Sequence, residues 1–483
     1  MNFSNLKTAL KPASLCVLIG CLITNQSCKP TDSAPRPNVI LIMTDDLGWH
    51  DVGFNGNTEV KTPNLDALAA KGVIFNRFYS ASPVCSPTRA SVMTGRHPLR
   101  TNIANANHGH LKQEEITIAE ILKEKGYRTS HFGKWHLGIL TNSIIDANRG
   151  GRLENKNHFS IPTMHGYNSF FCTESKVPTF DPMVFPESFD VGESKRFGWK
   201  AITDKASKPY GTAYWIENEI KETRNLKGGN SKLIMDRVLP FIDASNVTNT
   251  PFFTTIWLHT PHLPVVADST HREMYSKYEL DKQLYYGSIT AMDEQIGRLW
   301  EKLEAIGHQD NTLIMFCSDN GPERGTPGSA SHFRERKRSL YEGGVRVPAF
   351  AFWKNNIEGG TKTNFPAVTS DYLPTVLNAL NLPAITDRPI DGTNLLPALT
   401  RNKTKREKAI GFSYQNKISW VDNQYKLIST NKGETYELYD LLKDPSEKNN
   451  ILATAPKIVN SMKKELNTWL SSIENSKNGN DYN

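Results

Sequence analysis

The sequence predicts an α/β protein: a large mixed, mostly parallel sheet sandwiched by helices, followed by a smaller C-terminal antiparallel sheet with a helix. Three observations predict it. Short, almost continuously apolar runs stop abruptly at polar residues, amphipathic stretches lie between them, and beyond about residue 405 the pattern changes to short strands separated by turn residues.

The apolar runs are VILIMTDD (39–46), the weaker YRTSHFGKWH (127–136), PFFTTIWLHTPH (251–262) and TLIMFCSDN (312–320). Runs with no polar alternation fit strands buried on both faces. Helices are expected over 62–72, 117–126, 285–307 and 370–382; Thr62-Pro63 and Ser370-Asp371 supply starts, and Gly72, Gly126 and Gly307 supply stops. Open sheets of this kind bind ligands beyond the carboxyl ends of their strands, so the polar tails of the four runs should converge. Residues 137–235 are rich in Asn, Gly, Pro and aromatics with little periodicity, as in insertions that shape a substrate site. The C-terminal stretch closes with a helix expected over 455–473.

Hydrophobic residues make up 38% of the 483 and charged residues 22%, which fits a globular chain. The formal charge is +7, and it falls to +5 when Lys7 and Lys11 are removed with the first 28 residues. No dense Lys/Arg run with interleaved aromatics occurs, so nucleic acid is not an expected partner. The N-terminal ASLCVLIGCLIT, preceded by Lys7 and Lys11, is too short to span a bilayer and predicts a secretory signal of the lipoprotein type. Cys28 is favoured as the lipid-attachment residue over Cys21, because Cys21 would cut the apolar segment in half. The expected location is the periplasm or outer membrane of a Gram-negative bacterium, with membrane attachment through an N-terminal lipid.

With Cys16, Cys21 and Cys28 set aside, Cys85, Cys172 and Cys317 remain, too few for a disulfide framework. Cys317 reads as a core strand residue, and Cys172 has no visible partner. Cys85, in SPVCSPTRASVMTGR, is flanked by Ser86, Pro87, Thr88 and Arg89. It reads as an accessible thiol in a tight polar turn, with its pKa lowered by nearby positive charge. Asp45-Asp46 and Asp319-Asn320 each close an apolar run, and such oxygen donors suit a hard divalent cation, Ca²⁺ more readily than Mg²⁺.

Together these residues resemble the type I, formylglycine-dependent sulfatases of the alkaline phosphatase superfamily. CSPTRASVMTGR resembles the first family signature, in which Cys-x-Pro-x-Arg directs oxidation of the cysteine to formylglycine; GYRTSHFGKWH resembles the second, with Phe132 where a smaller or branched residue is common. NVILIMTDDLGW, HTPHLP, SDNG, RERKRSLYEGGVRVP and ELYDLLKDPSEKNNI extend the resemblance over most of residues 37–452.

The resemblance implies one Ca²⁺ held by Asp45, Asp46, Asp319, Asn320 and the modified Cys85. It implies that Arg89 holds the modified side chain, that Lys134 and Lys337 contact sulfate, that His136 partners the formylglycine hydroxyl and that His262 protonates the leaving group. His259 matches no family position and reads as a packing or supporting histidine. The implied organisation is a signal peptide over 1–28, a linker over 29–36, a catalytic domain over 37–404 and a C-terminal subdomain over 405–483. The expected partners are a sulfated glycan substrate and a formylglycine-generating maturation enzyme. Two rival readings are a phosphate or phosphonate monoester hydrolase of the same superfamily and a non-catalytic glycan-binding surface lipoprotein.

Overall fold

Strand β1 (Asn38–Thr44) is buried along its whole length, and its side chains divide between two cores. Val39, Leu41 and Met43 enter the core on one face of the sheet, while Ile40 and Ile42 enter the core on the other. A strand that buries both faces needs apolar residues at successive positions, which is why VILIM carries no alternation. The computed structural model describes residues 36–188, 199–200 and 208–482. The signal segment with Cys21 and Cys28, and most of the linker, lie outside the described residues.

Among the described residues the main sheet has ten strands. Besides β1 they are β2 (Val73–Phe75), β3 (Arg128–Lys134), β4 (Ser169–Thr173), β5 (Trp215–Glu217), β6 (Ile220–Lys221), β7 (Phe252–Trp257), β8 (Thr312–Ser318), β9 (Ala349–Phe352) and β10 (Thr361–Thr363). Their order is β10-β2-β9-β8-β1-β7-β3-β4-β5-β6. From β8 through β1, β7 and β3 to β4 every pairing is parallel; β9 runs antiparallel to both β8 and β2, and β5 and β6 are antiparallel at the other end. Register brings the parallel strands to a common level, with Thr44 beside Ser318, Met43 beside Trp257, Trp257 beside Gly133 and Lys134 beside Thr173.

Helices cover both faces. Helix α1 (Pro63–Lys71) begins at Pro63, as expected from Thr62-Pro63, but Thr62 makes no side-chain cap. Asp293 caps it instead: its carboxylate accepts from the backbone N–H of Asn64 at 3.0 Å and of Leu65 at 2.7 Å. Asp293 lies on α5 (Leu280–Ala305), whose Leu284, Ile289, Met292, Ile296, Leu299 and Leu303 recur at helical spacing and join the core behind Ile40. Helix α2 (Cys85–Thr94) packs on the opposite face through Ala90, Val92 and Met93. Helix α3 (Ile118–Glu124) starts at a capping box formed by Thr117 and Glu120. Helix α4 (Asn230–Val247) and α6 (Tyr372–Ala379) complete the layers.

The C-terminal strands β11 (Ile410–Tyr414), β12 (Lys417–Val421), β13 (Tyr425–Ser429) and β14 (Glu437–Asp440) form the expected antiparallel sheet, in chain order. One face packs Phe412, Val421, Ile428 and Tyr439 against Tyr79, Val84, Leu340 and Val345. The other packs Trp420, Leu427 and Leu438 on Val459, Met462 and Leu466 of helix α7 (Pro456–Lys477). A Cβ on Gly411 would lie 2.5 Å from the Trp469 ring, so only glycine lets strand and helix approach this closely. Wholly buried Lys426 also ties the sheet to the body, with Glu342 at 3.0 Å and Glu447 at 2.9 Å.

No helix among the described residues is long and apolar enough to cross a membrane. The stretch that lacked periodicity contributes β4, β5 and β6 to the main sheet.

Candidate active site

Five adjacent parallel strands end on one edge, and each delivers polar side chains there. Asp45 and Asp46 follow β1, Lys134 ends β3, Glu174 and Ser175 follow β4, His259 and His262 follow β7, and Asp319 and Asn320 follow β8. Cys85 joins them as the first residue of α2, and Lys337 arrives from the loop before Glu342.

Cys85 Sγ lies 3.4 Å from Asp45 Oδ1. Ligand atoms of Asp45, Asp46, Cys85 and His262 all fall within 4.8 Å of one another, a spacing that could hold a metal ion. Lys134 Nζ donates to Asp45 Oδ2 at 2.6 Å, and Lys337 Nζ donates to Asp46 Oδ1 at 2.5 Å. Arg89 donates to Asp319 Oδ2 at 2.7 Å and to the Lys134 carbonyl at 3.1 Å, with its guanidinium 5.2 Å from the Trp257 ring. Asp319 Oδ1 in turn accepts the backbone N–H of Asp46, and Asn320 Nδ2 donates to Asp46 Oδ1. Every predicted site residue of the described chain is therefore in this cluster or touches it, except His136 and His259, which border it through Ser175 and Thr173.

Cys85 differs from its expected state. CSPTRASVMT is a helix rather than a tight turn, all of its residues are buried, and Cys85 is only 2% exposed. Burial, with Asp319 and Asp45 adding to it, pushes the thiol well above its ordinary range. Lys134 and Lys337 pull it down but do not reverse this. The thiol is thus neither accessible nor activated.

The two acids nearest the thiol shift in opposite directions. Burial raises the Asp45 carboxyl, but Lys134, His262, Arg89 and Lys337 outweigh it and hold the group well below the usual range. Burial and the neighbouring Asp45 push Asp319 up to about 7. Asp46 Oδ2 and Asn320 Oδ1 are buried with no hydrogen-bond partner. Orphaned oxygens of this kind are costly unless something binds them. Three carboxylates and an amide oxygen, two of their atoms without a hydrogen bond, fit a hard cation.

Asp46 and His136 both adopt left-handed backbone, at φ 66° and 58°. Such positions are unfavourable for residues other than glycine and cluster at functional sites. His262 is pushed down to about 4 by burial; its Nδ1–H donates to the Leu263 carbonyl at 2.7 Å, and its Nε2 lies 3.7 Å from Asp46 Oδ2. His259 is satisfied at both nitrogens, by Thr173 Oγ1 at 2.8 Å and Asn230 Oδ1 at 3.0 Å.

Sequence reasoning missed the residues after β4. Ser175 Oγ is 3.4 Å from His136 Nε2, while Glu174, pushed up to about 6 by burial and by Asp146, accepts four hydrogen bonds. SFFCTES is itself a short apolar run ending in polar residues, the same signal that found the other strand ends.

The chain matches the family described as Sulfatase over residues 37–382, and the N-sulphoglucosamine sulphohydrolase C-terminal family over residues 331–474. It is 32% identical to N-acetylgalactosamine-6-sulfatase of Rattus norvegicus over 392 residues, covering 76% of this chain and 66% of that one, just under two thirds of its length. It is 27% identical to the ulvan-active sulfatase of Formosa agariphila over 98% of this chain and 89% of that one. Its fold is similar to that of Ps i-CgsB, solved in complex with k-i-k-neocarrahexaose, with a TM-score of 0.74 and 27% identity over 90% of this chain and 92% of that one.

Proposed function

The chain belongs to the sulfatase family of sulfuric ester hydrolases, and from that premise we propose that it removes sulfate from a sulfated carbohydrate, a polysaccharide or its oligosaccharides. The observation that carries this reading is the convergence of Cys85 with Asp45, Asp46 and His262 inside 4.8 Å. The nature of the glycan is supported by the relatives: one is ulvan-active, one acts as an N-acetylgalactosamine-6-sulfatase, and one was solved with a neocarrahexaose. Export with lipid attachment at Cys28 is part of the same proposal and is supported by the apolar N-terminal segment.

The nucleophile we assign is the hydrated aldehyde formed when Cys85 is oxidised to formylglycine. Its burial supports modification by the maturation enzyme before the chain folds. Asp45, Asp46, Asp319, Asn320 and the residue-85 side chain would hold Ca²⁺. When bound, that ion supplies positive charge against the sulfuryl oxygens and favours an ionised hydroxyl at residue 85.

One hydroxyl of the hydrate, its proton lost to solvent, attacks sulfur, and the bond from sulfur to the sugar oxygen breaks with the electron pair going to that oxygen. Lys134 and Lys337 offset charge on the transferring group, and Arg89 keeps the residue-85 end of α2 against Asp319. His262 delivers a proton to the departing alkoxide, a role worth about 10²–10⁴-fold for a basic leaving group. In the free site burial keeps this imidazole neutral, and the negative charge of a bound sulfate ester is what raises its proton affinity. The remaining hydroxyl on residue 85 then gives its proton to His136. A carbonyl forms, the carbon–oxygen bond to sulfate breaks, and sulfate leaves with that electron pair. Water restores the hydrate. A plain serine or cysteine has no second hydroxyl and would be trapped as its sulfated form.

Likeness to the phosphonate monoester hydrolase of Agrobacterium radiobacter, at 19% identity and a TM-score of 0.60, speaks to the fold alone. A panel of sulfated oligosaccharides beside matched phosphate and phosphonate esters tests the proposal. Sulfate release from the oligosaccharides supports it; turnover confined to phosphorus esters overturns it.

A further inference from the structure

His136 is tied to a chain of hydrogen bonds that ends at a buried carboxylate. Its Nε2 lies 2.7 Å from Asn107 Oδ1, on the loop after α2. Asn107 Oδ1 also accepts from Asn148 Nδ2 at 2.8 Å, and that same nitrogen donates to Glu174 Oε1 at 3.0 Å. Glu174 is wholly buried and is fixed in turn by Arg149 Nε at 3.1 Å and the Gly150 backbone N–H at 2.9 Å. Arg149 closes the arrangement by donating to the Gly109 carbonyl at 3.0 Å, two residues along the loop from Asn107.

The chemistry of these groups allows one assignment. A carboxylate only accepts, so Asn148 must present its NH₂ to Glu174. The second hydrogen of that NH₂ points at Asn107, which must therefore present its oxygen. Exchanging nitrogen and oxygen in Asn148 would set carbonyl against carboxylate, and exchanging them in Asn107 would set NH₂ against NH₂. An amide oxygen also only accepts, so the imidazole hydrogen sits on Nε2. The ring's lone pair is left on Nδ1, which is buried and has no partner.

We propose that Asn107 is a positioning residue that, through Asn148 and Glu174, locks His136 as its Nε2–H tautomer and reserves Nδ1 as the acceptor for the proton that residue 85 gives up when sulfate is expelled. The tautomer stands on the hydrogen bonds alone, whereas the use of Nδ1 rests on the formylglycine reading above. A free imidazole would divide between two tautomers, and only one could serve.

The test uses full-length matured enzyme labelled with ¹⁵N-histidine. Long-range proton–nitrogen spectra separate the two neutral tautomers, and His136→Gln identifies the signal. Wild type is expected to show Nε2–H. Asn107 is exposed, so Asn107→Leu should fold; it should give mixed tautomers and a fall in kcat on the order of 10²-fold with KM little changed. It should also show a burst of released alcohol while residue 85 accumulates sulfate, read by mass spectrometry. Asn107→Asp keeps an acceptor and should recover the tautomer and the steady rate. An Nδ1–H signal in wild type overturns the assignment. A pure Nε2–H signal in Asn107→Leu, or mixed tautomers with unchanged kcat and no burst, overturns the role of Asn107. Absence of any sulfate ester turnover in wild type would instead reject the sulfatase reading, with the tautomer still decided by the spectra.

Discussion

Arg89 Nη2 lies 2.7 Å from Asp319 Oδ2, and solvent reaches neither side chain. The pair joins two parts of the chain 230 residues apart and sets the start of α2 against the end of β8. Removing one member of such a pair leaves the other buried and unpaired, at a cost of about 3–5 kcal/mol. Arg89→Ala should lose that much stability in denaturant unfolding. Arg89→Lys should recover little, because one ammonium cannot reach Asp319 and the Lys134 carbonyl together as the guanidinium fork does. Full stability of Arg89→Lys would show that charge alone matters here.

Calcium should stabilise the folded chain, since Asp46 Oδ2 and Asn320 Oδ1 are buried without hydrogen-bond partners. Thermal unfolding with added Ca²⁺ should give a Tm above that in chelator, and activity should fall with chelator and return with Ca²⁺. Asp46→Asn and Asp319→Asn should abolish the Tm shift. A shift that survives both substitutions would place the ion elsewhere.

His262 and the two lysines should separate by leaving group. A sugar alkoxide is basic and needs a proton, whereas a nitrophenolate does not. His262→Ala should therefore lose about 10²-fold or more in kcat/KM on a sulfated sugar and far less on an aryl sulfate. Lys134→Ala and Lys337→Ala should lose activity on both substrates to a similar degree. Equal losses for His262→Ala on the two substrates would remove it from the acid's role.

Asp293 supplies a pH signature of the fold. Burial pushes its carboxyl up to about 6 from 3.8, so the folded state holds this proton more tightly than the unfolded chain does. Its contribution to stability is therefore fullest below 3.8 and is lost as pH rises through 6. Asp293→Asn loses a cap for α1 but does not titrate. The Tm gap between wild type and this variant should narrow from pH 4 to pH 7; a widening gap would contradict the burial argument.

Much of the fold and most of the site could be read from the chain because strand ends were marked by abrupt changes of polarity. VILIM to Asp45-Asp46 and TLIMFCS to Asp319-Asn320 are local signals, and parallel register turns them into one cluster. Strand β4 escaped because SFFCT is short and lies in a stretch without periodicity. The environment of Cys85 escaped for another reason: its neighbours are polar, but long-range partners such as Asp319 bury them, and local polarity cannot report that. Asn107 and Asn148, 41 residues apart on two loops, carry no pattern at all before the chain folds.

Cys85 is assigned here as the precursor of the nucleophile in a sulfate ester hydrolase. Peptide mass spectrometry on active enzyme, over the tryptic segment that runs from Phe78 to Arg89, decides it. The segment should carry one oxygen in place of one sulfur and two hydrogens at Cys85, the fraction converted should track the rate of sulfate release across preparations, and Cys85→Ala should be inactive. Full sulfate release from protein whose Cys85 is entirely an unmodified thiol would contradict it.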